Sequence, residues 1–270
     1  METSNSKDIT VIIPILLDAY THPLDQMLDN AVKSVRTAAE NYKDGNVKVL
    51  IVRPSDNKTD DLYFKDIDYK YIYNKGNTDY CSQVNLGVSN VDTEYFSILE
   101  FDDSYSPKWF KMFSDYFNTH EDTSIFLPIN VVNDLKNNIH SFNNEITWSA
   151  SFSSVIGELD YECLQDYAAF NLTGGIFKTS DWLGYKPSIK LSFNYEYLLR
   201  ATSNKQKVYV VPKEGYHHTL YRQGSLLDKY DKEISNEEAE QWFALAKSEY
   251  IYPKDRNKTI ENFKTKEVLK

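Results

Sequence analysis

Apolar residues in this chain gather in short unbroken runs, separated by longer stretches with helical spacing. Ile9-Thr-Val-Ile-Ile-Pro-Ile15 is a continuous, largely β-branched run, the mark of a strand covered on both faces in a parallel sheet. From Leu24 to Tyr42 the apolar positions Leu24, Met27, Leu28, Ala31, Val32 and Val35 form one helical stripe. Val47 to Val52 reads as a second buried strand, broken by Arg53-Pro54, and Tyr69 to Tyr73 as a third. Asp79 to Ser89 predicts a short helix, Tyr95 to Phe101 a fourth strand and Pro107 to Phe117 another helix. Alternating strands and helices imply right-handed crossovers and a parallel sheet. Ligands of such sheets bind beyond the carboxyl ends of the strands.

The second half is less regular. Ile125 to Val132 predicts a strand, and the polar stretch Asn133 to Asn144 a loop. Asn171-Leu-Thr-Gly-Gly-Ile-Phe-Lys178 sets a glycine pair before a short strand; Phe193 to Thr202 reads as a helix and Val208 to Pro212 as a strand. Ser235 to Tyr250 opens with a capping box, Ser235 with Glu238, and continues with Ala239, Trp242, Phe243 and Ala246 as its apolar positions. No repeat or linker interrupts the chain. The expectation is one α/β domain over residues 1–230, with residues 231–270 as a helical extension of it.

Composition narrows the classes. The chain has 270 residues and a net charge of −10, from 40 acidic against 30 basic side chains, which argues against an extended nucleic-acid surface. No apolar run approaches the ~20 residues that span a bilayer. Met1-Glu-Thr-Ser-Asn-Ser-Lys7 does not read as a signal peptide, and Cys81 and Cys163 have no metal or disulfide spacing, so a cytoplasmic location is expected.

The chemistry concentrates where the run from Tyr95 ends in Glu100, Asp102 and Asp103. Strand alternation predicts Glu100 and Asp102 on one side and Asp103 on the other. Carboxylates crowded at a strand end repel one another unless a cation offsets them, and oxygen ligands suit Mg²⁺ or Mn²⁺.

In order and spacing, residues 9 to 226 resemble the inverting family 2 glycosyltransferases of GT-A fold. Asp56-Asn-Lys-Thr-Asp60 is similar to that family's Asp-Gly-Ser-x-Asp turn. Asn74-Lys-Gly76, Gln83-Val-Asn85-Leu-Gly87, Glu94-Tyr95 and Glu100-Phe-Asp102-Asp103 then resemble its Asn-x-Gly, Arg-Asn-x-Gly, Glu-Tyr and Asp-x-Asp-Asp series. The resemblance implies metal-dependent transfer of a sugar from a nucleotide-diphosphate donor to a hydroxyl acceptor with inversion. It gives donor-binding roles to Pro14, Asp56, Asn74, Asn85, Glu100, Asp103, Gly174, Gly175 and Arg222, and cation-binding roles to Asp102 and His218 (Mn²⁺ or Mg²⁺). The stretch Ser192-Phe-Asn194-Tyr-Glu196-Tyr-Leu-Leu-Arg200 falls where the family has Glu-Asp-x-Asp-Leu-x-x-Arg. Asn194 stands at the usual catalytic Asp, which makes Glu196 the nearest carboxylate to act as general base. A saccharide acceptor is the family's commonest. Two rivals are a virus-encoded enzyme acting on hydroxymethylated DNA bases and a catalytically silent nucleotide-sugar-binding module.

Overall fold

The computed structural model describes residues 7–16, 24–55, 61–248 and 250. Its strands are β1 (Ile9–Pro14), β2 (Val47–Pro54), β3 (Asp68–Asn74), β4 (Tyr95–Ile98), β5 (Ser104–Tyr105), β6 (Ile125–Asp134), β7 (Ile139–Asn143), β8 (Ile176–Lys178) and β9 (Val208–Leu220). Its helices are α1 (Leu24–Glu40), α2 (Tyr80–Val88), α3 (Trp109–Phe117), α4 (Tyr161–Asp166), α5 (Phe193–Ser203), α6 (Leu226–Glu233) and α7 (Asn236–Ser248). The strands form one sheet in the order β3-β2-β1-β4-β8-β6-β9-β5, with β7 paired to β6.

Parallel pairing runs from β3 through β2 and β1 to β4. The other half is mixed: β8 runs antiparallel to both β4 and β6, whereas β6 and β9 are parallel. The unbroken run of β1 is explained by two cores. Ile9, Val11 and Ile13 pack in one cluster with Val35 of α1 and Phe110 of α3, while Ile12 enters another with Val84 of α2 and Leu198 of α5. Gly87 lets α2 lie on β1, because a Cβ there would stand 2.5 Å from Ile12 Cγ2.

Several elements depart from the sequence pattern. β4 stops at Ile98, three residues before the expected end at Phe101. β7 arises within the stretch expected to be loop, and β9 runs past Pro212 to Leu220. α7 docks on α5, with its Trp242 carbonyl accepting from Ser192 Oγ at 2.8 Å and Phe243 against Tyr195. Among the described residues no helix is long and apolar enough to cross a membrane.

Candidate active site

The carboxyl ends of β1 and β4, the far half of β9, the start of α5 and helix α6 surround a cleft of about 500 Å³. Pro14, Glu100, Asn171, Asn194 and His218 are among its lining residues. Because β4 ends early, the chain after Leu99 is a turn, in which the Asp103 N–H donates to the Glu100 carbonyl at 3.0 Å. That turn breaks the expected alternation. Glu100, Asp103 and His218 each offer a ligand atom, all within 4.8 Å of one another. Asp102, expected to join Glu100, instead accepts from Arg222 Nε at 2.8 Å, and the Arg222 guanidinium lies over the Phe101 ring.

β9 fixes the buried Asp103. The Tyr216 hydroxyl donates to one carboxylate oxygen at 2.9 Å, and the Thr219 N–H to the other at 2.8 Å. The Glu100 N–H donates to the same Tyr216 hydroxyl at 3.1 Å. Gly174 makes room for this tyrosine: it has φ +78°, and a Cβ would stand 2.5 Å from the ring. The Asn171 side chain points its oxygen at Thr173, accepting from that residue's N–H at 3.0 Å and hydroxyl at 2.8 Å. Its amide N–H₂ therefore donates to His218 Nδ1 at 2.8 Å. His218 Nε2 lies 3.9 Å from Asp103.

Charge at this end of the sheet is unbalanced. Burial and the neighbouring Asp103 push the Glu100 carboxyl up to about 8. Burial and Asp102 push Asp103 well above the carboxylate range, against the bonds from Thr219 and Tyr216. Such groups gain most from a nearby cation, and hard oxygen donors of this kind suit Mg²⁺ or Mn²⁺.

The other expected site residues divide. Pro14 and Asn194 line the cleft, and Asn194 Oδ1 accepts from the Tyr185 hydroxyl at 2.9 Å. Asn74 closes a turn, donating to Asn77 O at 2.7 Å and accepting from the Gly76 N–H at 2.8 Å. Asn85 clamps a distant loop, its amide donating to the carbonyl of Tyr185 and accepting from its N–H, both at 2.8 Å. Gly174 and Gly175 are buried packing positions and are not among the cleft-lining residues. Asp56 lies outside the described residues; of those flanking it, Arg53 pairs with Asp61 at 2.5 Å.

Glu196, expected as the general base, is fully buried and lies outside the cleft lining. Arg200 grips both its oxygens at 3.0 Å, Lys186 lies 3.2 Å from one of them, and the Tyr250 hydroxyl donates to it at 2.5 Å. A carboxylate neutralised in this way has no free face for an acceptor's proton. Sequence reasoning also missed Tyr216 and Asn171, which organise the cluster, and Tyr80, which lines the cleft.

Residues 10–175 match the family model described as Glycosyl transferase family 2. The chain belongs to this family. Solved structures similar to this glycosyltransferase include Staphylococcus aureus TarS 1-349 in complex with UDP-GlcNAc. That likeness has a TM-score of 0.60 at 14% identity and covers 82% of this chain and 60% of that one. Another is the mannosyltransferase PcManGT from Pyrobaculum calidifontis in complex with GDP-Man and Mn²⁺, with a TM-score of 0.53 at 9% identity, covering 78% and 56%. At such identities the likeness shows the GT-A fold, and this glycosyltransferase spans less than two thirds of either chain. No curated protein sequence matches it.

Proposed function

We propose that this glycosyltransferase is a metal-dependent cytoplasmic enzyme, transferring a sugar from a nucleotide-diphosphate donor to a hydroxyl of a saccharide acceptor with inversion. The observation that carries this reading is the convergence of Glu100 and Asp103 beside a deep cleft at the strand ends. Glu100 and Asp103 would hold Mn²⁺ or Mg²⁺, because each is an oxygen donor whose ionised form is disfavoured by burial and by a neighbouring carboxylate. When bound, that ion supplies Lewis-acid neutralisation of the charge that grows on the departing diphosphate.

The chain's own residues set the rest of the site. Tyr216 and Thr219 hold the Asp103 carboxylate, and Asn171 fixes the His218 ring beside it. His218 stands in the same cluster and offers its third ligand atom. Arg222 keeps Asp102 paired and adds positive charge for a diphosphate. Asn194 stands in the cleft wall and positions the acceptor; as an amide it takes no proton. Residues 231–248 belong to the same domain, a reading that the docking of α7 on α5 supports, while residues 251–270 of the expected extension lie outside the described residues.

A saccharide acceptor is favoured over duplex DNA by the fate of the basic residues between Lys178 and Lys207. Lys186 and Arg200 are engaged by Glu196, and Lys207 pairs with Asp122. The net charge of −10 further disfavours binding along a phosphate backbone. The test is release of nucleoside diphosphate from UDP-GlcNAc and GDP-mannose with a panel of saccharide acceptors, in Mn²⁺, in Mg²⁺ and in EDTA. Turnover that needs the metal is expected, with the product's anomeric configuration opposite to the donor's. Donor turnover confined to hydroxymethylated DNA, or unaffected by EDTA, contradicts the proposal.

A further inference from the structure

A second cavity, of about 430 Å³, adjoins the cleft. Leu16, Tyr80, Lys190, Phe193, Leu226 and Tyr230 line both. Tyr80, the first residue of α2, is the member of this partition whose polar group is unexplained. Asp79 caps the helix beneath it, accepting from the Ser82 N–H at 2.9 Å, and the Tyr80 ring packs 5.2 Å from Phe193 and 6.3 Å from Tyr185. Tyr80 is only 8% exposed, yet its buried hydroxyl has no hydrogen-bond partner among the described residues.

Neighbouring tyrosines set the contrast. Tyr185 donates to Asn194, Tyr195 to the Leu164 carbonyl and Tyr216 to Asp103. A buried hydroxyl normally finds such a partner, since leaving one unpaired forfeits its hydration for nothing. Burial, and then the Glu100 carboxylate, push the Tyr80 phenol well above its ordinary range, so the hydroxyl keeps its proton and remains a donor. It therefore needs an acceptor oxygen, and the room for one is in the cavities that Tyr80 lines.

We propose that Tyr80 is a donor-binding residue, its hydroxyl giving a hydrogen bond to an oxygen of the nucleotide sugar, either on the diphosphate or on the transferred sugar. The inference rests on the transferase reading above. It adds a contact that discriminates, because a site with a buried donor rejects analogues that leave that donor unpaired.

Tyr80→Phe removes the hydroxyl and nothing else. Binding of UDP, UDP-GlcNAc, GDP and GDP-mannose in Mn²⁺ is measured by calorimetry for both proteins, with melting temperatures taken without ligand. The variant should melt at the same temperature as the wild type or above it, and bind about 10- to 100-fold more weakly. A loss seen already with UDP or GDP puts the oxygen on the diphosphate, and a loss confined to the sugar nucleotides puts it on the sugar. Affinities within twofold of wild type, or lowered melting with binding unchanged, overturn the assignment to Tyr80 while the transferase reading stands. A wild-type protein that binds none of the four overturns both.

Discussion

Carboxylates at two places in one domain are treated in opposite ways. On α5, Glu196 is met by Arg200, Lys186 and the Tyr250 hydroxyl, so its charge is spent on holding that helix to its neighbours. At the end of β4, Glu100 and Asp103 face each other beside His218, and Arg222 is paired with Asp102. Chemistry of the same kind gives a structural strut in one place and an open electrostatic demand in the other. The difference lies in whether the fold itself supplies the counter-charge. A buried pair of the first kind adds little net stability, yet removing one partner is costly. A cluster of the second kind lowers stability until something binds to it.

The largest effect should come from the strut. Glu196→Ala leaves Arg200 and Lys186 without their buried partner and should cost about 3–5 kcal/mol, a fall in melting temperature of roughly 10 °C, with Mn²⁺ affinity unchanged in the folded protein. Calorimetric melting checks the first part and metal titration the second. A loss of turnover without a loss of stability would restore Glu196 to the general-base role. Next, Asp103→Asn should weaken Mn²⁺-dependent donor binding by about 100-fold. Its melting temperature without metal should depend less on pH, since a buried carboxyl that is raised by burial and Asp102 has been removed.

A third test uses pH. Burial and the neighbouring Asp103 push the Glu100 carboxyl from an ordinary 4.5 up to about 8, and Asp103 is also raised. The metal-free fold thus holds protons that the unfolded chain releases. This contribution to stability is complete below about 4.5 and is lost as pH rises toward 8. Mn²⁺ should reverse the trend, its stabilising shift growing across the same interval in thermal melts. The smallest effect is expected from Asp102→Asn, about tenfold or less on Mn²⁺-dependent donor binding, because Asp102 already has Arg222. An effect as large as that of Asp103→Asn would exchange the roles of the two aspartates.

β1, β2, β4 and α1 were legible because their pattern is two-sided burial or a clean helical stripe, both local properties of the chain. β7 was not, since its residues from Ile139 to Asn143 are largely exposed and it is held by backbone pairing to β6. The acidic cluster was located correctly along the chain but with the wrong phase. A turn closed by the Asp103 N–H ends β4 early, and strand alternation fails beyond it. For Glu196 a local signal did exist, in its spacing of four from Arg200, which favours an ion pair along one helix face. The contributions of Lys186 and Tyr250 are tertiary, as is the missing partner of the Tyr80 hydroxyl, and neither leaves a mark on spacing.

The central claim is that Glu100 and Asp103 await a divalent cation that completes a nucleotide-sugar site. Titration of the wild-type protein with UDP and GDP at pH 7.5, in Mn²⁺ and again in EDTA, tests it most directly. The account predicts binding of one of them in Mn²⁺ and a loss of about 100-fold or more in EDTA. Equal affinity in the two buffers would contradict it.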